Sequence, residues 1–449
     1  MALSKLGLKI IEEANNLKRT KEALAIELNI SLTNLEKIIQ GNCSLNESKK
    51  FIEKMLKKYP IEGSKLLITE SDIYDAFTIL NRETSKNSSR VFKRKNSLGK
   101  NTNYYEYRDT AMNKFSPIYP EWIKPLVVVK DKNPKNKLIC YNKGHILHQF
   151  TFFIGEVNFY WKDQSGYHCK TMNTGDSNYI PPFIPHSFAS RNKNKLGLII
   201  AVTFADILRF SKIKFSNYSK NKIEEFSGRT NSRLSYFTAF LKNFLNKNFL
   251  DEKSILKEMI LSGIDEKSSK RIIAGKKVPD KSEVNKLANI FCIPSKKLKN
   301  IISNRPSKVV NKKITASSKR KVYFENTFLS IWDLARSNYN NFLNTFIMEV
   351  NSKTYNYKIL HKMYEYVFNY SEDDILVKVD NKKYILKPEE SIIISPKVTH
   401  YFYKKKGDMN SKILIIRVAE EFSHDFTHMY AGLSEKSRKR IFSEVSQWF

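Results

Sequence analysis

The chain has 449 residues, of which 41% are hydrophobic and 12% aromatic, and its formal net charge is +33. This apolar content excludes a wholly disordered chain and is sufficient for roughly three or four structural units of ordinary size. The positive charge would suit a polyanion, but the lysines are spread along the whole chain with abundant Asn and Ile, so we interpret it as compositional and do not expect a nucleic acid partner.

A helical pattern begins near the N-terminus. Apolar spacing of helical type runs through residues 5–58. Within it, the stretch from Glu22 to Gly41 predicts two short helices joined by a turn, which is a helix-turn-helix pattern. We therefore assign residues 1–82 to a helical, helix-turn-helix-like module.

A strand-rich region follows this module. Residues 83–102 are rich in Lys, Asn and Ser, and we interpret them as an exposed connector. Residues 124–206 show short alternating or β-branched runs separated by Gly, Pro and charged turns, which is typical of strands. We assign residues 83–215 to a first barrel of the cupin (double-stranded β-helix) type.

Three side chains of this barrel predict a metal site. His145 and Gln149 lie four residues apart near the start of one predicted strand, and His186 follows a Pro-rich turn into another. Such a set can bind one face of a first-row metal and leave the other open for dioxygen chemistry. The alternative is that Gln149 is a hydrogen-bonding core residue and the site is inactive. His148 and His168 lack the spacing and are predicted to be structural.

The helical pattern occurs a second time. Residues 254–301 again predict short helices, and the motif that ends at Gly275 matches the one that ends at Gly41, 234 residues earlier. This repeat indicates an internal duplication. We assign residues 216–315 to a second helical module.

The strand pattern also repeats. Residues 326–420 resemble the first strand-rich region, and they follow a second predicted connector at residues 304–321. We assign residues 316–449 to a second barrel. The predicted fold class is therefore α+β, a tandem duplication of an all-α helix-turn-helix-like module followed by a cupin barrel.

The second barrel carries a related set of side chains. His361 and His400 lie 216 and 214 residues after His145 and His186, and Glu365 stands where the first barrel has its glutamine. The loops before these histidines lack the Asn-x-Gly-His element and the multiple prolines of the first barrel. We expect this barrel to be degenerate, with metal binding by the three residues as an open alternative.

These motifs together resemble the family of phosphonate-processing iron oxygenases that includes hydroxyethylphosphonate dioxygenase and methylphosphonate synthase. The dioxygenase places a carboxylate ligand six residues before its second histidine, in a Gly-Asp-Ser-Tyr-x-Glu-Pro motif. Here that position is Ile180, in Gly175-Asp-Ser-Asn-Tyr-Ile180-Pro. The set His145, Gln149 and His186 is more similar to the two histidines and one glutamine of methylphosphonate synthase.

The resemblance implies the reaction. Fe(II) would be the cofactor and O₂ the cosubstrate, with no 2-oxoglutarate. The substrate would be 2-hydroxyethylphosphonate, and cleavage of its carbon–carbon bond would give methylphosphonate and carbon dioxide or bicarbonate. The chain would then be an oxidoreductase of phosphonate biosynthesis.

The resemblance also implies residues that hold the phosphonate. Lys18, in the first helical module, matches a catalytic lysine that reaches into the barrel of a neighbouring subunit, which implies a homo-oligomer such as a dimer or tetramer. Asn142 and Tyr107 match two hydrogen-bond donors to the phosphonate. The arginine that the dioxygenase has upstream of that tyrosine has no evident equivalent, and Lys100 is the nearest candidate.

Two other functions are compatible with the sequence. A helix-turn-helix module with a cupin barrel is also the plan of small-molecule-sensing transcription regulators, although neither predicted recognition helix has a convincing base-reading surface. Within the enzymes, the alternatives are a dioxygenase that forms hydroxymethylphosphonate and formate, or an epoxidase acting on a related phosphonate.

The sequence finally bears on location. The four cysteines show no paired spacing, which favours a reducing cytoplasm over an oxidising compartment. No run of about 18 apolar residues occurs and the N-terminus lacks a signal-like apolar core, so we expect a cytoplasmic protein without a membrane partner.

Overall fold

The structure is a computed structural model. It describes residues 4–61, 63–66, 76–95, 99–113, 116, 118–204, 233–248, 250–295, 298–299, 308–324, 327–337, 343–361, 363–404, 410–419 and 430–438. The chain divides into two units, Met1–Asp75 with Glu421–Phe449, and Ala76–Glu420. None of the described helices has the length and apolar content that crossing a bilayer requires.

The N-terminal part of the first unit contains the helices α1 (Lys5–Asn16), α2 (Lys21–Glu27), α3 (Leu32–Gln40) and α4 (Leu45–Lys58). The two short helices that the sequence predicts between Glu22 and Gly41 are α2 and α3. The side chain of Ser31 caps the start of α3, and Gly41, with φ of +79°, ends it. Apolar faces of these helices enclose one buried core.

The second unit contains helices α5 (Arg82–Asn87), α6 (Arg233–Lys247), α7 (Glu252–Leu261), α8 (Glu266–Ile273) and α9 (Lys281–Ile290). Aspartates cap the last three: Asp251, Asp265 and Asp280 accept hydrogen bonds from backbone N–H groups of the first turn. Helices α6 to α9 bury their apolar side chains in one core, so they form a helical group with its own interior.

The strands of the second unit form two sets. The first set is β2 (Arg90–Lys95), β3 (Asn101–Asp109), β4 (Ile118–Pro125), β5 (His148–Ile154), β6 (Val157–Asp163), β7 (Gly166–Met172), β8 (Ser177–Ile180), β9 (His186–Ser190) and β10 (Leu198–Phe204). The second set is β12 (Lys319–Phe324), β13 (Thr327–Asp333), β14 (Leu343–Val350), β15 (Met363–Phe368), β16 (Ile375–Val379), β17 (Lys382–Leu386), β18 (Ser391–Ile394), β19 (His400–Tyr403) and β20 (Ser411–Ala419).

Both sets have the same topology. In the first, a large antiparallel sheet of order β8-β5-β10-β4-β3-β2 shares a core with a small sheet of order β7-β6-β9. In the second, the orders are β18-β15-β20-β14-β13-β12 and β17-β16-β19. Each strand of one set therefore has the same neighbours as its counterpart in the other.

Two short strands cross between the sets. Strand β1 (Phe77–Leu80), which precedes the first set, pairs with β18 of the second. Strand β11 (Val310–Lys312), which precedes the second set, pairs with β8 of the first. Each large sheet is thus completed by the strand that leads into the other sheet.

The two large sheets also pack against each other. One face of each contributes to a shared apolar core, with Phe150, Phe152 and Val202 from the first set and Tyr366 and Ile416 from the second, all of them fully buried. Strand β5 is therefore buried on both faces, which explains its nearly unbroken apolar sequence.

The structure corrects the predicted connectors. The described part of residues 83–102 forms most of α5, all of β2 and the start of β3, because the Lys-rich sequence pairs with the Tyr-rich strand β3. The described part of residues 304–321 forms β11, a short 3-10 helix and the start of β12. The predicted limits 82/83 and 315/316 fall next to the exchanged strands, whereas the limit 215/216 lies outside the described residues.

Candidate metal centre

His145 is positioned by a tight loop ahead of β5. Gly144 has φ of +73°, and a Cβ atom there would lie 2.5 Å from the backbone carbon of Phe183, so only glycine fits. The backbone N–H of Phe183 donates to the carbonyl of His145 across 2.8 Å. The Pro-rich turn ahead of β9 therefore holds the loop that carries His145.

The three predicted ligand side chains converge. The Nε2 atom of His145 lies 3.0 Å from Oε1 of Gln149, and the rings of His145 and His186 are 5.3 Å apart and nearly perpendicular. Gln149 is the second residue of β5, and His186 is the first residue of β9. The histidines and the amide thus meet at one end of the barrel, as the sequence predicts.

Backbone carbonyls fix both imidazole tautomers. The Nδ1–H group of His145 donates to the carbonyl of Leu147 across 2.7 Å, and that of His186 donates to the carbonyl of Ile184 across 2.8 Å. Both Nε2 atoms therefore present lone pairs to the centre. Such hydrogen bonds also orient histidines that bind metals.

The amide of Gln149 is oriented in the same sense. Its nitrogen donates to Oγ1 of Thr151 across 2.8 Å, which turns its oxygen towards Nε2 of His145. Two acceptor atoms at 3.0 Å without a proton between them repel each other. A cation bound between them removes this conflict, and two imidazole nitrogens with one amide oxygen suit a first-row divalent metal such as Fe(II).

Burial keeps His186 neutral. Loss of solvation, opposed by the hydrogen bond with Ile184, lowers the pKa of His186 to about 3, and His145 and Arg94 lower it further in the same direction. The ring therefore offers its lone pair throughout the physiological pH range.

Ile180 lies beside the glutamine. Strands β5 and β8 pair Gln149 with Ile180, so both side chains emerge on the same face of the sheet at the site. Ile180 is almost fully buried. Gln149 therefore lies, on the neighbouring strand, beside the position where the dioxygenase motif would place a carboxylate.

His145, Gln149 and His186 line a cavity of about 100 Å³. Its other walls are Arg94, Tyr105, Tyr107, Glu121, Ile123, Asn142, Phe188 and Thr203. Of the predicted substrate-binding residues, Tyr107 and Asn142 belong to this lining. Lys100 does not, and is an exposed residue directly before β3.

The amide of Asn142 is held in one orientation. Its oxygen accepts hydrogen bonds from the backbone N–H groups of Gly144 and His186, at 3.0 and 2.9 Å. Its nitrogen then lies 3.1 Å from Nε2 of His186 and presents a donor at the centre. An anionic oxygen bound there would meet an N–H group already in place.

Sequence reasoning missed Arg94. This residue of β2 lines the cavity, stacks over Tyr105 with its guanidinium carbon 4.9 Å from the ring centroid, and donates to the carbonyl of Cys140 across 2.7 Å. The dioxygenase has an arginine upstream of the matching tyrosine. From the sequence, Lys100 was the nearest candidate for it, whereas Arg94 is an arginine that lies upstream of Tyr107 and lines the cavity. The available signal was Val91-Phe-Lys-Arg94, a strand-like run within the supposed connector.

Two polar groups of the lining have raised pKa values. Burial raises the pKa of Tyr107 above its ordinary value, so the phenol remains a hydrogen-bond donor. Burial also raises the pKa of Glu121, against the opposing effects of Arg90 and His145.

The remaining predicted residues lie elsewhere. Lys18 is exposed in the turn between α1 and α2, with φ of +57°, and belongs to the first unit, whereas the cavity belongs to the second. His148 bonds through Nδ1 to the hydroxyl of Tyr179 at 2.6 Å, and His168 pairs with Asp163 at 2.9 Å. Both histidines thus have structural partners.

The second barrel brings His361, Glu365 and His400 together, with possible ligand atoms within 4.8 Å of one another. Nε2 of each histidine lies 3.0 Å from an oxygen of the buried Glu365. Here, unlike in the first barrel, an arginine contacts the candidate ligand set directly, because Nε of Arg417 donates to the carboxylate of Glu365. Burial alone would raise the pKa of Glu365, but Arg417 and the two histidines hold it well below its usual range.

The chain is similar to known phosphonate enzymes. It is 32% identical to the methylphosphonate synthase of Nitrosopumilus maritimus, over 97% of this chain and 93% of that protein. A shorter similarity, 30% identity over 23% of this chain and 50% of the relative, relates it to (S)-2-hydroxypropylphosphonic acid epoxidase of Streptomyces wedmorensis. No protein-family model matches the chain.

Solved structures share its fold. The structure superposes on Streptomyces albus hydroxyethylphosphonate dioxygenase, solved with 2-hydroxyethylphosphonate and Fe(II) bound, with a TM-score of 0.82 and 21% identity over 97% of this chain and 96% of that one. The chain is thus a mixed helix-and-sheet protein with antiparallel sheets and the fold of that dioxygenase.

Proposed function

This chain belongs to the methylphosphonate synthase family, and we propose that it converts 2-hydroxyethylphosphonate to methylphosphonate and carbon dioxide or bicarbonate. The reaction would use Fe(II) and O₂, without 2-oxoglutarate. The observation that carries this proposal is the convergence of His145, Gln149 and His186 on one point with their lone pairs directed inward. When bound there, Fe(II) supplies the redox chemistry that activates O₂.

The neutral glutamine is central to this proposal. Two histidines and an amide carry no charge, so Fe(II) would retain its full +2 charge, whereas a carboxylate ligand would reduce it to +1. The site consequently attracts an anionic substrate more strongly and holds no basic ligand oxygen beside the reacting groups. This is the physical difference from a site with a carboxylate at position 180.

We propose that Arg94, Tyr107 and Asn142 bind the phosphonate. All three line the cavity, and they offer a guanidinium, a phenol and an amide N–H as donors to anionic oxygens. Arg94 and the metal together supply three positive charges for a dianion. Lys100 stays a predicted contact, with Arg94 favoured in its place because it belongs to the lining.

Lys18 is proposed to complete the site in an oligomer. It belongs to the first unit and is exposed, which is compatible with insertion into a neighbouring subunit's barrel. A dimer or tetramer would then be needed for full activity. Lys18→Ala should lower turnover, and mixing it with an inactive His186→Ala protein should restore part of the activity if subunits exchange.

We further propose that the fold is a duplicated helix-turn-helix-like module and cupin barrel, with limits at 1–82, 83–215, 216–315 and 316–449. Support comes from the identical strand orders and from an ion pair that occurs in both sets. Arg90 pairs with Asp109 at 2.7 Å, and Arg320 pairs with Asp333 at 3.0 Å, each joining the first two strands of its set. A cytoplasmic location, and the absence of nucleic acid and membrane partners, remain predictions.

Phosphorus NMR tests the proposed reaction directly. Protein loaded anaerobically with Fe(II) is mixed with 2-hydroxyethylphosphonate and then with O₂. We expect a methylphosphonate resonance that is lost in Gln149→Ala and His186→Ala but retained in His168→Ala, a matched histidine change outside the site. Hydroxymethylphosphonate and formate would instead indicate the dioxygenase reaction. No turnover by protein that holds iron would refute the proposal.

A further inference from the structure

The second barrel encloses a larger cavity than the first. Its volume is about 390 Å³, against about 100 Å³ for the cavity that contains His145. Pockets for small molecules commonly measure about 300 to 1,000 Å³. His361 and Arg417 line this cavity, so it opens at the position equivalent to the metal centre of the first barrel.

Arg417 replaces a small residue of the first barrel. Strand pairing places Thr203 opposite Gln149 in the first set and Arg417 opposite Glu365 in the second. Where the first barrel leaves the face of its ligand set open, the second places a guanidinium over it. The side chain of Arg417 is 22% exposed while that of Glu365 is fully buried, so the cation lies between the carboxylate and the cavity.

One oxygen of Glu365 has two partners, and the other faces a histidine. Oε1 lies 3.0 Å from Nε2 of His400, whose Nδ1–H donates to the carbonyl of Val398. Arg417 balances the ionised Glu365, and the backbone N–H of Met363 donates to Nδ1 of His361, which places the proton of that ring on Nε2, facing Glu365. A divalent ion at this point would displace a proton and lie beside a guanidinium. Among the described residues, Glu365 alone accepts a hydrogen bond from Arg417.

The lining shows an excess of positive charge. Asp333 accepts hydrogen bonds from two of the lining arginines, Arg320 at 3.0 Å and Arg336. Together with Glu365 it balances two of the four cations of the lining, which are Arg320, Arg336, Lys358 and Arg417. Lys358 precedes His361 by three residues, as Asn142 precedes His145, so a neutral amide has been replaced by a cation.

Apart from Asn344 and His361, the rest of the lining is apolar. The strand position of Tyr107 is occupied by Ile331, and that of Glu121 by Phe346. The other apolar residues of the wall are Val322, Leu329, Met348, Ile359, Leu360 and Met363. A ligand that fits must therefore combine an anionic group with an apolar body.

We propose that the second barrel binds a small organic anion, a carboxylate or phosphonate with an apolar body, through Arg417 and Lys358. The guanidinium covers the face of the histidine and carboxylate set that the first barrel leaves open. Its fork of N–H groups suits two oxygens of one anion. The apolar wall excludes water and selects against inorganic phosphate.

Calorimetry on the iron-loaded, full-length protein without O₂ tests this site. The probe is phenylphosphonate, with inorganic phosphate and benzyl alcohol as probes that lack the apolar body or the charge. We expect phenylphosphonate to bind at least tenfold more tightly than either. Lys358→Met should weaken its binding about tenfold and leave turnover of 2-hydroxyethylphosphonate unchanged, whereas Lys353→Met, an exposed lysine nearby, should change neither.

Arg417→Met should abolish the binding of phenylphosphonate. Because this change leaves the buried carboxylate of Glu365 without its cation and could unfold the protein, the double variant Arg417→Met/Glu365→Gln is measured in the same way. Absence of phenylphosphonate binding, or binding lost in Arg94→Met but not in the Lys358 and Arg417 variants, would overturn the proposal. So would a second equivalent of iron that disappears in His361→Ala and His400→Ala. The phosphorus NMR assay of turnover is run on the same variants, so that a loss of anion binding in the second barrel is distinguished from a loss of activity in the first.

Discussion

At the residue scale, one amide distinguishes the proposed metal site of the first strand set. Gln149 and Ile180 are paired across neighbouring strands, so both side chains lie on the face of the sheet where the histidines converge. In the proposed site the neutral amide, and not a residue at position 180, would be the third ligand. The carboxamide of Gln149 is oriented by Thr151, and both histidines are oriented by backbone carbonyls, so the site is arranged before metal arrives.

A charge at position 149 should strengthen metal binding. Gln149→Glu keeps the length of the side chain and adds a negative charge to a neutral ligand set, so we expect Fe(II) affinity to rise about tenfold. The rate of iron transfer to a chelator measures this. Thr151→Val, which removes only the orienting acceptor, should weaken binding instead. Unchanged retention in Gln149→Glu would argue that the side chain does not contact the metal.

A carboxylate on the neighbouring strand should replace the amide. In Gln149→Ala/Ile180→Glu the new side chain emerges on the same face of the sheet, and we expect iron binding lost in Gln149→Ala to return. Iron content after gel filtration is the measurement. Gln149→Ala/Ile180→Gln controls for charge and should recover less. No recovery in either double variant would show that position 180 does not reach the centre.

At the element scale, polar side chains tie short segments to the barrels. Asp176, buried before β8, accepts hydrogen bonds from the backbone N–H of Ile314 at 2.9 Å and from Nζ of Lys313 at 2.7 Å. In the second set, Glu390 before β18 accepts one from the backbone N–H of Arg82 at 3.2 Å. Each exchanged strand is thus fastened where it ends.

Removal of the first of these contacts should destabilise the second unit. Asp176→Ala leaves two backbone N–H groups without their acceptor and leaves the Lys313 ammonium only the carbonyl of Thr171, so we expect a loss of about 2 to 3 kcal/mol in the free energy of unfolding. Urea denaturation measures it. Asp176→Asn, which keeps an acceptor, should lose less. If Asp176→Asn and Asp176→Ala lose the same free energy of unfolding, the stabilisation comes from the charge of Asp176 and not from its hydrogen bonds.

The β6–β7 hairpin should show a small acid sensitivity. Burial would raise the pKa of Asp163, but hydrogen bonds from Ser165 and His168 outweigh it and lower the pKa to about 2. A lowered pKa stabilises the fold above the unfolded value near 4, and this contribution disappears as the pH falls from about 4 to 2.

Thermal unfolding of Asp163→Asn at several pH values tests this sign. Because the carboxylate is about one-third exposed, the variant should be less stable than the parent by only about 0.5 kcal/mol at neutral pH, and the difference should narrow below pH 4. In a His168→Ala background the effect should be smaller. A difference that grows on acidification would contradict the assignment.

At the scale of the whole molecule, the two strand sets of the second unit form one structure. They share a core, and two serines bridge them: Ser177 accepts from the backbone N–H of Ala335 at 2.9 Å, and Ser391 from that of Ala111 at 2.8 Å. A change on one side of this core should therefore affect both strand sets together.

Phe152→Ala is the direct test of this coupling. Phe152 is fully buried and packs on Tyr370 of the other barrel with ring centroids 5.0 Å apart. We expect a loss of about 3 to 5 kcal/mol, with one cooperative transition of the second unit. Tryptophan emission and amide exchange in both barrels would report it. Leu360→Ala, at an exposed residue of the second cavity, should be nearly neutral.

Local motifs were readable from the sequence, and long-range pairing was not. The histidines and Gln149 lie in short motifs whose spacing is conserved between the halves of the chain itself, so their convergence followed from sequence. Arg94 was missed because β2 is exposed along most of its length, so its Lys-rich sequence lacks the regular apolar alternation by which a strand is recognised. The exchanged strands were missed because a run of three or four residues carries no sign of a partner hundreds of residues away.

The exchange of strands also determines when β1 can pair during synthesis of the chain. Phe77 pairs with Ile394, so β1 leaves the ribosome 317 residues before its partner exists. At synthesis rates of about 5 to 20 residues per second, this strand waits roughly 15 to 60 seconds. The second unit can reach its final sheet only once nearly all of it has been made, so its early intermediates present unpaired strand edges that depend on dilution or chaperones to avoid association.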